Sequence, residues 1–104
     1  MRESDDAYTL FTRAEALNDM RRFHEAKSFG LQAISKSPEW EYGYATHARA
    51  CLALADYKSA ELSLGNALRI SPENVWCHMT MSDCQRLQGK LASALVHAQG
   101  LVTK

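Results

Sequence analysis

Residues 36–42 read KSPEWEY, and the Ser37-Pro38-Glu39 within them returns as Ser71-Pro72-Glu73, the proline stepping 34 residues from 38 to 72. Proline lacks the N–H that a helix interior needs, and its ring clashes with the preceding turn. Acids just beyond it, here Glu39, Glu41 and Glu73, suit the positive end of a following helix. Each tripeptide therefore reads as a boundary between an outgoing and an incoming helix, with Asn74 as a natural N-cap for the second incoming helix.

The surroundings repeat with the tripeptide. Setting residues 7–40 against 41–74 gives identities at Tyr8/Tyr42, Thr12/Thr46, Ala14/Ala48, Ala16/Ala50, Ala26/Ala60, Ala33/Ala67, Ser37/Ser71, Pro38/Pro72 and Glu39/Glu73, nine of the 34 positions. Ordinary composition would give roughly two or three. A third unit keeps the phase more loosely: Thr80 follows Thr46, Ser82 follows Ala48, Leu91 follows Tyr57, and Ser93-Ala94 follows Ser59-Ala60. Repetition at this period predicts an array of stacked units. The units are 7–40, 41–74 and 75–104, the last incomplete, after an extension over residues 1–6.

Each unit reads as a pair of helices. Residues 7–20 are rich in Ala, Leu and Glu, without Gly or Pro, and residues 23–36 carry Phe23, Ala26, Gly30, Ala33 and Ile34 at helical steps. The pair returns as 41–54 with 57–70 and as 75–88 with 91–103. Breaks are expected at Arg21-Arg22, Ala55-Asp56 and Gly89-Lys90, short enough to force the two helices antiparallel. Strand signals are absent, so the chain is expected to be all-α with about six helices. Asp5-Asp6 reads as a helix start rather than a pair of catalytic acids.

Composition narrows the function. Hydrophobic residues make up 46% of the 104-residue chain, which suits a folded domain of modest core. Twelve Lys plus Arg balance twelve Asp plus Glu, so the positive surplus needed for nucleic acid or an anionic membrane is missing. No apolar run is long enough for membrane insertion, and the polar, acidic start MRESDDAY does not resemble a signal peptide. Cys51, Cys77 and Cys84 are odd in number and lack CxxC spacing. They fit a reducing, cytoplasmic setting, unless a leader or anchor has been removed. His47 and Cys51 stand one helical turn apart, with His78 as a possible neighbour, but a structural zinc site needs four convergent ligands. No metal, cofactor or enzyme motif is assigned.

The chain resembles the tetratricopeptide repeat (TPR) family over residues 7–104. The resemblance rests on small residues midway through each first helix (Ala14, Ala48, Ser82), on a large residue opening each second helix with alanine three later (Phe23/Ala26, Tyr57/Ala60, Leu91/Ala94), on Ala33 and Ala67, on the closing prolines, and on the turn LADYKSA. Departures are Arg13 and His47 at apolar positions, Gly30 at a bulky one, and His78 at the large position of the third unit. The resemblance implies a right-handed superhelical array of antiparallel helix pairs, a TPR-type α-solenoid, whose first helices line a concave groove.

On that geometry the groove residues are Tyr8, Phe11, Thr12 and Glu15, then Tyr42, Ala45, Thr46 and Arg49, then Trp76, Met79, Thr80 and Asp83. Aromatics recur at one place (Tyr8, Tyr42, Trp76) and threonines at another (Thr12, Thr46, Thr80), while Glu15, Arg49 and Asp83 alternate in sign. The implied function is a protein–protein interaction module, a scaffold or adaptor, holding a partner peptide or helix with the three aromatics as anchors. A chaperone for a secreted or assembled partner would be a special case. The family's carboxylate clamp for heat-shock chaperone tails is not expected, because the matching places hold Phe11, Glu15, Thr46, Trp76 and Thr80, none of them basic.

The stretch LASALVHAQGLV, residues 91–102, carries no formal charge. A terminal repeat normally turns a polar face outward. Leu91, Leu95, Val96, Leu101 and Val102 are therefore expected to form an oligomer edge, the basis of an alternative reading as a self-assembling scaffold.

Overall fold

The 34-residue period reappears as helix boundaries. In the computed structural model, which describes the backbone of residues 6–103 and the side chains of residues 6–89, the order is α1 (Ala7–Asp19), α2 (Phe23–Lys36), α3 (Glu41–Ala53), α4 (Tyr57–Ile70) and α5 (Val75–Thr103). Helices α1 and α3 begin 34 residues apart, as do α2 and α4, and α5 begins 34 after α3. The described residues contain no strand. Successive helices pack on one another, and α1 also touches α3.

Local chemistry sets these boundaries. Asp6 Oδ1 accepts from Thr9 N at 2.9 Å, Asp56 Oδ1 from Ser59 N at 3.4 Å, and Asn74 Oδ1 from Cys77 N at 2.9 Å. Each satisfies a backbone donor left over at a helix start. The first helices close at Arg21 and Ala55, with φ of 63° and 62°. There Arg22 N donates back to Leu17 O and Asp56 N to Cys51 O, both at 2.8 Å. This six-to-one bond is the signature of a helix ending in a left-handed residue.

The proline boundaries repeat down to single hydrogen bonds. Tyr44 Oη donates to the Pro38 carbonyl at 2.9 Å, and His78, 34 positions later, reaches the Pro72 carbonyl through Nε2 at 2.7 Å. A carbonyl only accepts, so His78 carries its proton on Nε2. The histidine that breaks the size pattern of the third unit still makes the bond that its position makes in the second.

The core consists of small side chains. Ala14, Ala26, Ala33, Ala48, Ala60 and Ala67 are fully buried, together with Leu64, Cys51, Cys77 and Cys84. Small residues let helix axes approach closely. The α2–α3 crossing is close: a Cβ added at Gly30 would lie 2.9 Å from both Cα and Cβ of His47. The missing side chain at 30 thus lets the α3 backbone at residue 47 lie directly against α2.

The third unit corrects the sequence reading. No turn forms at Gly89-Lys90; α5 continues unbroken to Thr103, giving five helices rather than six. No described glycine has positive φ. An uninterrupted helix satisfies its own backbone groups, and the flanking QRLQ and KLASA are good helix formers. At about 1.5 Å per residue the helix is roughly 43 Å long, and the longest dimension of the molecule is 63 Å. Leu91, Leu95, Val96, Leu101 and Val102, the expected oligomer edge, lie outside the residues whose side chains are described.

Candidate partner-binding cleft

The C-terminal half of α1 is tied to α3 by polar contacts. Asn18 Nδ2 donates to Thr46 Oγ1 at 3.3 Å and, more weakly, to the Thr46 carbonyl at 3.4 Å. The Arg49 guanidinium donates to Glu15 Oε1 and Asp19 Oδ1, both at 2.7 Å. These contacts fix α3 against α1 and so fix the side chains beyond them.

Those side chains are aromatic. Phe11 from α1 meets Trp40 edge-on at 5.3 Å between centroids and Tyr42 at 5.9 Å. Trp40 and Tyr42 are 5.5 Å apart and near-perpendicular, and Tyr8 lies 6.4 Å from both Phe11 and Trp40. Such spacings are those of favourable aromatic pairs, about 0.5–1.5 kcal/mol each beyond area burial. The row is not hidden as core: Tyr8 is 65% exposed and Tyr42 45%. Beside it runs a cleft of about 370 Å³ lined by Phe11, Glu15, Tyr42, Ala45, Arg49, Asn74 and Trp76, the last 43% exposed. A broader hollow of about 640 Å³ borders the other end of the row, at Tyr8, Pro38 and Trp40.

The structure sorts the expected groove residues. Phe11, Glu15, Tyr42, Ala45, Arg49 and Trp76 come together around the cleft. Tyr8 joins through the aromatic row instead. Met79 is exposed but outside the cleft lining. The threonines do not form an open row. Thr46 is only 1% exposed and Thr80 is buried, while the Thr12 hydroxyl donates to the Tyr8 carbonyl of its own helix at 2.8 Å. Asp83 pairs with Arg86 on the same helix rather than with the cleft.

Trp40 is the residue the sequence reading missed. It occupies the N-cap position of α3, in register with Asp6 and Asn74, yet α3 has no side-chain cap. Giving up a capping side chain costs about 0.5–2 kcal/mol. The position therefore trades a cap for an indole in the aromatic row. The signal is in the sequence, since 40 stands 34 from both 6 and 74.

Electrostatically the cleft has one guanidinium facing two carboxylates, so Arg49 is already engaged and the local balance is acidic. Elsewhere, under the α3–α4 seam, His47 Nδ1 is 2.6 Å from Ser63 Oγ and Cys51 Sγ is 3.5 Å from His47 Nε2. Burial lowers the His47 pKa and pushes the Cys51 thiol up to about 11. At neutral pH this is a neutral imidazole beside a protonated thiol, a packing contact rather than a thiolate–imidazolium pair. His78 is engaged at Pro72 instead. Among the described residues, no group of three His, Cys, Asp or Glu side chains is placed to hold a metal ion, and no helix is long and apolar enough to cross a membrane.

The chain matches no protein-family model and no curated protein sequence.

Proposed function

We propose that this chain is a TPR-type helical-repeat module that binds a partner peptide or helix along the α1–α3 face, its hairpins winding in a right-handed superhelix. The observation that carries the reading is the partly exposed aromatic row of Tyr8, Phe11, Trp40 and Tyr42, continuous with the cleft that Trp76 also lines. Large aromatic side chains give much contact area for little lost rotamer freedom, and they dominate binding hot spots. Contiguous apolar surface left open to solvent in this way is characteristic of an interaction site.

The polar rim indicates what the partner carries. Arg49 is held by Glu15 and Asp19, so a terminal carboxylate would meet an occupied donor and two like charges. An apolar or aromatic anchor beside a neutral or basic residue fits better. We read the role as binding rather than catalysis, in a scaffold or adaptor, in a reducing cytoplasmic setting consistent with three buried free thiols.

The test is capture from a lysate of the source cells, comparing wild type with the Tyr42→Ala/Trp76→Ala double variant after circular dichroism shows that both fold. A partner retained by wild type and lost by the variant supports the cleft as the working surface. A partner set indifferent to the two substitutions removes the function from the cleft.

A further inference from the structure

Helix α5 holds, in one piece, what the first two units divide into two helices. Gly89 stands 34 residues after Ala55 and 68 after Arg21, the two positions where the chain turns through a left-handed residue. Both are non-glycine residues, for which that conformation is strained. Gly89 would adopt it freely, yet it lies within α5. The position best able to turn is the one that stays straight.

Continuity leaves a face uncovered. In α1 the stripe Leu10, Ala14, Leu17 is buried or half-buried beside α2, and in α3 the stripe Tyr44, Ala48, Cys51 is buried beside α4. The matching stripe of α5, His78, Ser82 and Gln85, is exposed throughout. Like the other two, it sets a small residue between two larger ones. Small Ala14 and Ala48 are buried beside second helices that carry Ala26 and Ala60, also buried. In that register the counterpart of Ser82 is Ala94, on the straight continuation of the same helix. From Gly89 to Thr103 the helix advances about 21 Å, so residues 91–103 lie away from their own stripe.

We propose that residues 91–103 of one copy dock on the His78–Ser82–Gln85 face of a second copy, and reciprocally, in a swapped dimer with a two-fold axis near Gly89. The repeat itself names the occupant: the face and the segment that fits it are both written in this chain, and a straight α5 separates them within one molecule. A two-fold operator satisfies both copies at once and closes the assembly. The polar character of the stripe suits a face that opens and closes. His78 donates to the Pro72 carbonyl and the Gln85 amide to Glu61 at 3.2 Å, so the open face is hydrogen-bonded without a cover. This interface stands apart from the aromatic cleft and does not depend on its function.

Sedimentation velocity over a dilution series, on the full chain, gives the dimer dissociation constant. Dissociated chains compete with the dimer by turning at Gly89 to cover their own stripe; Gly89→Ala penalises that turn, so it should lower that constant by roughly fivefold per chain. Insertion of Gly-Ser-Gly-Asn after Gly89 lets the segment fold back on its own stripe and should yield monomers. Mixing a Ser82→Cys chain with an Ala94→Cys chain under mild oxidation should give a disulfide between the two. A chain monomeric at every concentration overturns the proposal. So does a dimer that forms no 82–94 cross-link between chains, or one indifferent to both changes at the hinge.

Discussion

Two glycine-to-alanine substitutions should move stability in opposite directions. Gly30 and Gly65 both lie inside helices, α2 and α4, where alanine is intrinsically better by about 0.8–1 kcal/mol. A Cβ at 65 would meet nothing within 4 Å. Gly65→Ala should therefore stabilise by about that amount. A Cβ at 30 would lie 2.9 Å from Cα and Cβ of His47 and 3.2 Å from its N. These are backbone and near-backbone atoms, so α2 and α3 must separate by about half an ångström to restore ordinary contact near 3.4 Å. Overpacking of this kind costs about 1–3 kcal/mol. After the propensity gain is subtracted, Gly30→Ala should destabilise by about 1 kcal/mol, or about 4–8 °C in Tm for a domain of this size. Urea titration followed by circular dichroism measures both variants, with an unchanged slope showing that the unfolded state is not the cause. The gap between the two variants isolates the packing cost. If Gly30→Ala stabilises the protein as Gly65→Ala does, the close α2–α3 crossing is refuted.

Further predictions concern the core, pH and the missing cap. Ala60 is fully buried, so Ala60→Leu should cost about 1–3 kcal/mol through overpacking; an unchanged thermal melt would contradict the assigned register. Burial lowers the His47 pKa from its ordinary 6.5, so the unfolded chain binds that proton first as pH falls. Stability from this residue is fully present above pH 6.5 and declines as pH drops toward the folded value, with a slope no steeper than about 1.4 kcal/mol per pH unit. Urea midpoints between pH 7.5 and 5 should show the decline, and His47→Gln should flatten it; an equal decline in the variant would assign the effect elsewhere. Trp40→Asn restores a cap worth about 1 kcal/mol while removing ring contacts of similar size. Its stability should stay within about 1 kcal/mol of wild type while partner affinity falls at least tenfold; unchanged affinity would mean that Trp40 serves only packing.

Much of the fold was legible because its causes are local. The spacing of Pro38 and Pro72 gave the period, and the alanines at 14, 26, 48 and 60 gave the close helix contacts, since only small side chains permit them. The N-caps at Asp6 and Asn74 could be read because the capping atom belongs to the residue itself. The turn at Gly89 was misread for the opposite reason. Whether glycine turns or continues a helix depends on what the following segment packs against, and that partner is not local. The cleft was half legible. The TPR resemblance implied that Tyr42, Arg49 and Trp76 face one groove, but it could not show that Thr46 would be buried against Asn18 at the α1–α3 seam. Nor could it show that Trp40, at the edge of a helix, would turn into the aromatic row.

The aromatic cleft is most directly tested with a peptide selected on the folded protein from a displayed random library. Both tryptophans of the chain, Trp40 and Trp76, border the cleft or its aromatic row, so intrinsic fluorescence reports on that surface. Titration of the peptide should shift the emission and saturate, and Tyr42→Ala, which leaves both indoles in place, should weaken the Kd at least tenfold. A peptide that binds wild type and Tyr42→Ala equally, without changing the emission of either tryptophan, would place recognition elsewhere and contradict the account.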